Sequence, residues 1–148
     1  MFRWVKLFAC AAVLMPSMLF AASPKLDESP EAVFEADDLI SVEEELVEAT
    51  NAERVRRGLR PLEVCRKLMS TARRHTAWMA NRRSMTHGRY PVAENIASGQ
   101  NTTRQAISAW MNSSGHRANM LNPNNTKMGV AAYQAANGQV YWTQQFTR

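Results

Sequence analysis

The C-terminal stretch constrains the fold most. "KMGVAAYQ" and "QVYWTQQFT" are β-prone runs on either side of "AANG", and an Asn-Gly pair between two such runs is a strong signal for a tight hairpin. The ordered sequence before it reads as helix or loop. Helices followed by a terminal hairpin argue for an α+β fold and against a parallel α/β sheet. The chain shows no internal repeat, and its 148 residues have room for one core but not for two ordinary domains.

Three helical patterns precede the hairpin. In "LISVEEELVEATNAERVRRG", Leu39, Val42, Leu46 and Ala49 recur at helical spacing, Ser41 and Glu44 form an S-x-x-E capping box, and Gly58 ends the run. A second helix is expected from about Glu63 to Arg83, with Cys65, Leu68, Ala72, His75 and Met79 as its apolar stripe. This places His75 on the buried face, as a core histidine with satisfied hydrogen bonds, and Cys65 there as an inert thiol. Residues 87–101 are punctuated by Gly, Pro and Asn and read as loop. A third helix spans about Thr103 to Asn112 with Ala106, Ile107, Trp110 and Met111 inward, and "SSGHRANML" forms a short helix capped by Ser113 or Ser114.

The N-terminus is different in kind. "MFRWVK" followed by "LFACAAVLMPSMLFAA" has the basic start, apolar run and small-residue end of a secretory signal peptide over residues 1–22. Pro16 and the short run argue against a membrane anchor, so none is expected after cleavage. Residues 23–37, "SPKLDESPEAVFEAD", are a flexible acidic spacer, and residues 38–148 are the folded domain. Cleavage removes Cys10 and leaves Cys65 alone, so the core rather than a disulfide must hold the fold.

Charge is divided unevenly. Ser23 to Glu53 holds eleven acids against one Lys, whereas Val64 to Arg148 holds eleven bases against Glu94 alone. A basic half can signal nucleic acid. For a secreted chain whose Arg pairs 73/74 and 82/83 suit a solvated helix face, no nucleic-acid partner is expected.

The isolated Glu94 stands seven residues after His87 and twenty-two before His116. Two His with one Glu and a water form a known catalytic ligand set for zinc. No helical H-x-x-x-H pair is present, so the three would have to converge through the fold. Glu94 has a second reading, an ion pair with Arg89 or Arg117 that locks the loop, and both roles are compatible.

Several motifs occur in a defined order: "NAERVRRGLRPL", "HG", "AENIASG", "AISAWMNSSGHRANMLNP", "MGVAA" and "YWTQQF". Together, over about Leu39 to Phe146, they resemble the CAP superfamily, or SCP-like proteins, in its short bacterial branch. The resemblance implies an α-β-α sandwich with a small antiparallel sheet between helical layers and a solvent-open cavity. In eukaryotic members that cavity carries two His and two Glu and takes a divalent cation. His87 and Glu94 match the first His and Glu, and His116 matches the second His. The second Glu falls near Ser113, where a hydroxyl replaces a carboxylate, so a full four-residue site cannot form. Ser113 is either a ligand contact or the cap of the short helix. In the last strand Trp142, Gln144 and Phe146 share one face and Tyr141, Thr143 and Gln145 the other, and Gln144 is expected to turn toward the cavity. Asn95 and Asn119 are expected to join loops through amide hydrogen bonds to backbone.

The expected function is a secreted or periplasmic binding module for a small amphiphile, an envelope component or a protein partner. A weakly held Zn2+ or other divalent cation on His87, His116 and Glu94 would accompany it. The alternative is a metal-assisted hydrolase with Glu94 as general base. No G-x-S-x-G motif is present, and Cys65 has no assigned histidine partner.

Overall fold

A computed structural model describes residues 40–148; the signal-peptide and spacer expectations lie outside the described residues. The element order is α1 (Ser41–Val55), β1 (Glu63–Val64), α2 (Arg66–Arg82), β2 (Ala93–Ser98), α3 (Thr103–Asn112), α4 (Ser114–Met120), β3 (Lys127–Gln134) and β4 (Val140–Thr147). The four strands lie in the order β1-β3-β4-β2. Antiparallel pairs join β4 to β3 and to β2, and the two-residue β1 adds a parallel pair to β3. The sheet is therefore mixed at one edge, because residues 63–64 straighten alongside β3 before α2 begins.

The hairpin forms where expected, with Gly138 at φ 85° in the turn. Its pleat sends Trp142 and Phe146 into an apolar cluster with Leu46, Ile107, Trp110, Met120 and Met128, between the sheet and α1, α3 and α4. Tyr141 packs on the other face with Met79, Ala80 and Ile96. With α2 on that side and α1 and α3 on the other, the layers are α-β-α.

Local chemistry sets the helix ends. Ile40, not Ser41, is the residue before α1, and the returning carboxylate is Glu43, which accepts from the Ile40 N–H at 3.4 Å. Glu43 is drawn inward because Arg73 of α2 donates to both of its oxygens at 2.8 and 2.5 Å, so the pair ties the outer helices together. Gly58, at φ 72°, lets the chain turn after α1, and the Leu59 N–H reaches the Arg54 carbonyl at 3.1 Å. The Arg54 guanidinium, 1% exposed, donates to the carbonyls of Arg60, Met120, Asn122 and Asn125. It gathers the chain around α4 without a carboxylate, and burial lowers its pKa.

Beyond the start of α1, the sequence expectations need two further adjustments. Helix α2 starts at Arg66, so Cys65 is the half-buried residue before it, outside the stripe. The stretch taken as loop contains β2, an edge strand that pairs Glu94 with Gln145 and Asn95 with Gln144. Among the described residues no helix is long and apolar enough to cross a membrane.

Candidate functional site

The edge strand β2 delivers Glu94 to the α2 side of the sheet, where its side chain is 6% exposed. A buried carboxylate must be repaid with donors, and three are present. Oε1 accepts from His87 Nδ1 at 3.0 Å and from the Gly88 N–H at 2.8 Å, and Oε2 accepts from Gln145 Nε2 at 2.9 Å. Gln145 is held in turn by the Thr71 hydroxyl, which donates to its Oε1 at 2.5 Å. A hydrogen-bonded line thus runs from α2 through Thr71, Gln145 and Glu94 to His87.

Its far end is open to solvent, for the His87 side chain is 60% exposed. Donation from Nδ1 to Glu94 fixes the tautomer of the neutral ring and leaves Nε2 as the atom with a free lone pair. The "HG" pair has a steric reason as well. A Cβ on Gly88 would lie 2.7 Å from the Tyr90 ring and 3.1 Å from Glu94 Oε2, so only glycine lets its N–H reach the carboxylate with both neighbours in place.

His75 belongs to the same assembly. Its Nε2 lies 2.9 Å from the Thr86 carbonyl, which can only accept, and 3.7 Å from Glu94 Oε1. It is the buried, hydrogen-bonded core histidine expected, and it also pins the segment carrying His87 to α2. Sequence reasoning left it out of the site. The available signal was its place on one face with Thr71, one turn earlier.

The second expected histidine arrives from α4. The His116 carbonyl accepts from Asn95 Nδ2 at 3.0 Å, and Asn119 Nδ2 donates to Asn95 Oδ1 at 3.0 Å and to the Glu94 carbonyl at 3.4 Å. These amides join α4 to β2 through the backbone bonds anticipated for Asn95 and Asn119. Burial, and secondarily the charge of His87, lower the pKa of His116. At neutral pH it is therefore held neutral beside a partner close enough to influence it.

Two expected site residues stand elsewhere. Gln144 does not turn toward these groups. It is fully buried on the opposite face, donating to the Thr50 hydroxyl at 2.7 Å and accepting from Asn95 Nδ2 at 3.1 Å. The strand pleat makes its neighbour Gln145 the contact to Glu94. Ser113 lies at the junction of α3 and α4, where its hydroxyl makes no capping hydrogen bond. Its carbonyl, instead, accepts from the Arg117 N–H at 2.8 Å. Arg117 and Arg89, the alternative ion-pair partners of Glu94, form no ion pair with it among the described residues.

Residues 47–146 match the Cysteine-rich secretory protein family, CAP. The chain belongs to the CAP family. It is 40% identical over 121 residues to the uncharacterized protein YkwD of Bacillus subtilis (strain 168), a match covering 70% of this chain and 46% of that one. This CAP chain thus spans about half the length of that relative. Among solved structures it resembles an extracellular protein containing a SCP domain from Bacillus anthracis, with TM-score 0.63 and 27% identity over 71% of this chain and 39% of that one. It also resembles an outer surface protein of Borrelia burgdorferi, with TM-score 0.65 and 20% identity over 72% of this chain and 94% of that one.

The donors of this CAP chain do not fit a three-ligand metal centre on His87, His116 and Glu94. Both Glu94 oxygens are already engaged by donors on the protein, and among the described residues no three His, Cys, Asp or Glu side chains are grouped to hold an ion. What remains is a pair of imidazoles, too few protein ligands for firm zinc binding. A depression of about 1220 Å³ between α1 and α3 is lined by none of the predicted site residues. A cleft of about 510 Å³ beside α2 includes His75, His87 and Gly88.

Proposed function

We propose that the protein is a secreted or periplasmic binding module in which His87 and His116 contact a small amphiphile, an envelope component or a protein partner. One observation carries this reading: a buried, three-fold-donated Glu94 props a solvent-exposed His87 in one tautomer. Such an arrangement spends its carboxylate on orientation, and an oriented imidazole with a free Nε2 suits recognition. The use of Glu94 as general base is disfavoured, because a base needs a lone pair facing substrate or water. Location outside the cytoplasm is supported by the apolar N-terminal run and by the extracellular protein among its relatives.

The test uses the histidine ring signals in NMR, followed while lipid vesicles and then solubilised wall fragments are added. Binding should shift the His87 ring signals, disappear in His87→Ala and weaken in Glu94→Gln, with both variants folded. Binding indifferent to both substitutions would refute the assignment. Turnover of ester or peptide substrates that Glu94→Gln abolishes without unfolding would replace it with the hydrolase.

A further inference from the structure

The cleft beside α2 has a character that the histidine site does not use. Trp78, on α2, is 41% exposed, and its ring lies nearly parallel to that of His75, at 10° with centroids 5.9 Å apart. Tyr90 meets His75 edge-on, at 83° and 6.2 Å. Two guanidinium groups lie over these rings, and a third arginine lines the cleft. Arg82 stands 5.6 Å from the centre of Trp78, Arg74 stands 5.9 Å from that of Tyr90 and donates to its hydroxyl at 3.2 Å, and Arg89 lines the cleft.

We propose that this cleft binds a small acid carried on a ring, the ring packing against Trp78 and the acid group meeting Arg74 and Arg89.

Charge complementarity argues for the acid. Arg56, Arg57 and Arg73 each pair with a carboxylate, whereas among the described residues Arg74, Arg82 and Arg89 form no ion pair. No carboxylate lines the cleft, and the nearby Glu94 has its oxygens occupied. Guanidinium groups placed over aromatic faces present their N–H edges in a geometry matched to carboxylate or phosphate. The ring follows from Trp78, whose 41% exposed indole lines the cleft with Arg82 over one part of its face. A purely apolar ligand would leave Arg74 and Arg89 unused, and a bare inorganic anion would leave the indole without a partner ring. At about 510 Å³ the cleft is of the size that takes a small molecule. It shares His75, His87 and Gly88 with the histidine site but does not depend on ligand binding there, since Trp78, Arg74 and Arg89 have no part in that proposal.

Both a sugar acid and an aryl acid have the required chemistry, so calorimetry would use digalacturonate and 2-naphthoate as probes, with galactobiose and 2-naphthol as uncharged controls. The expected result is one-to-one binding of at least one acid, weakened about tenfold or more in Trp78→Ala and in Arg74→Gln, with the uncharged analogue failing. The acid that binds identifies the ring as saccharide or aryl. Trp78 and Arg74 are exposed, so both variants should melt close to the wild type. His116→Ala separates the two sites and should leave this binding unchanged. The proposal is overturned if neither acid binds, if binding survives Trp78→Ala, if uncharged analogues bind as well, or if His116→Ala removes it equally.

Discussion

The two faces of the sheet are built from the same strands and do different work. Toward α1, α3 and α4 the strands present Met128, Val130, Trp142 and Phe146 to large apolar partners, with Gln144 as a buried polar insertion closed by Thr50 and Asn95. Toward α2 they present Thr143 to Thr76 at 2.7 Å and Gln145 to Thr71 and Glu94, and the apolar cluster there is smaller. One face supplies most of the burial. The other trades part of it for a polar line that ends at an exposed imidazole. The alternation of a strand allows this division, because adjacent residues can serve stability and site independently.

The most damaging single change should be Gly129→Ala, which would break the α2 face alone. The added methyl would lie 2.2 Å from the backbone carbonyl carbon of Leu68, so helix and strand must separate. A cost of about 3 kcal/mol is expected from such overpacking, read as a lowered urea midpoint in unfolding followed by tryptophan fluorescence. An unchanged midpoint would mean that α2 is not seated on β3 as described.

Next in size is a paired comparison, Gln144→Leu against Gln145→Leu. Each removes hydrogen bonds made by a buried amide, and each should cost about 1–3 kcal/mol. Their effects on the site should differ. Gln145→Leu takes a donor from Glu94 and should shift the His87 ring signals in NMR, whereas Gln144→Leu should leave them in place. Equal shifts would show that the two faces are not independent.

This pair also marks how far the sequence could be read. The alternation along "YWTQQF" separated Gln144 from Gln145 correctly, and the Asn-Gly turn located the hairpin. Which of the two glutamines faces the site depended on β2, whose six residues lie in a stretch rich in Gly, Pro and Asn and form an edge strand. Once Glu94 is known to oppose Gln145, the choice follows from register. His75 was legible as buried, since its helix stripe is local information. Its proximity to Glu94 was not, because that contact is made by a loop folding back on α2. The displaced start of α1 has the same origin: Glu43 rather than Glu44 turns inward because Arg73, thirty residues later, is there to receive it. Motif order offered Glu94, His87 and His116 as one set, of which the structure bonds Glu94 to His87. The capacity of Glu94 to bind metal could not be judged before its three donors were known.

The smallest expected effect concerns His116, where α4 meets the polar side around the edge of β2. Its pKa is lowered chiefly by burial and then by the charge of His87, so its NMR midpoint should lie below the ordinary value of about 6.5. Between its folded and unfolded pKa values the native state binds fewer protons at His116 than the unfolded chain does. Stability from the neutral ring is therefore fully present above the unfolded value and lost as pH falls through the folded one. His116→Gln should flatten that acid-side loss. His87→Ala should raise the His116 midpoint only part of the way, because the larger cause, burial, remains. Full return to the ordinary value would make charge the dominant influence, and no movement would mean that the two imidazoles do not share a site. The partial shift would instead establish that groups delivered from opposite layers of the sheet meet at its edge.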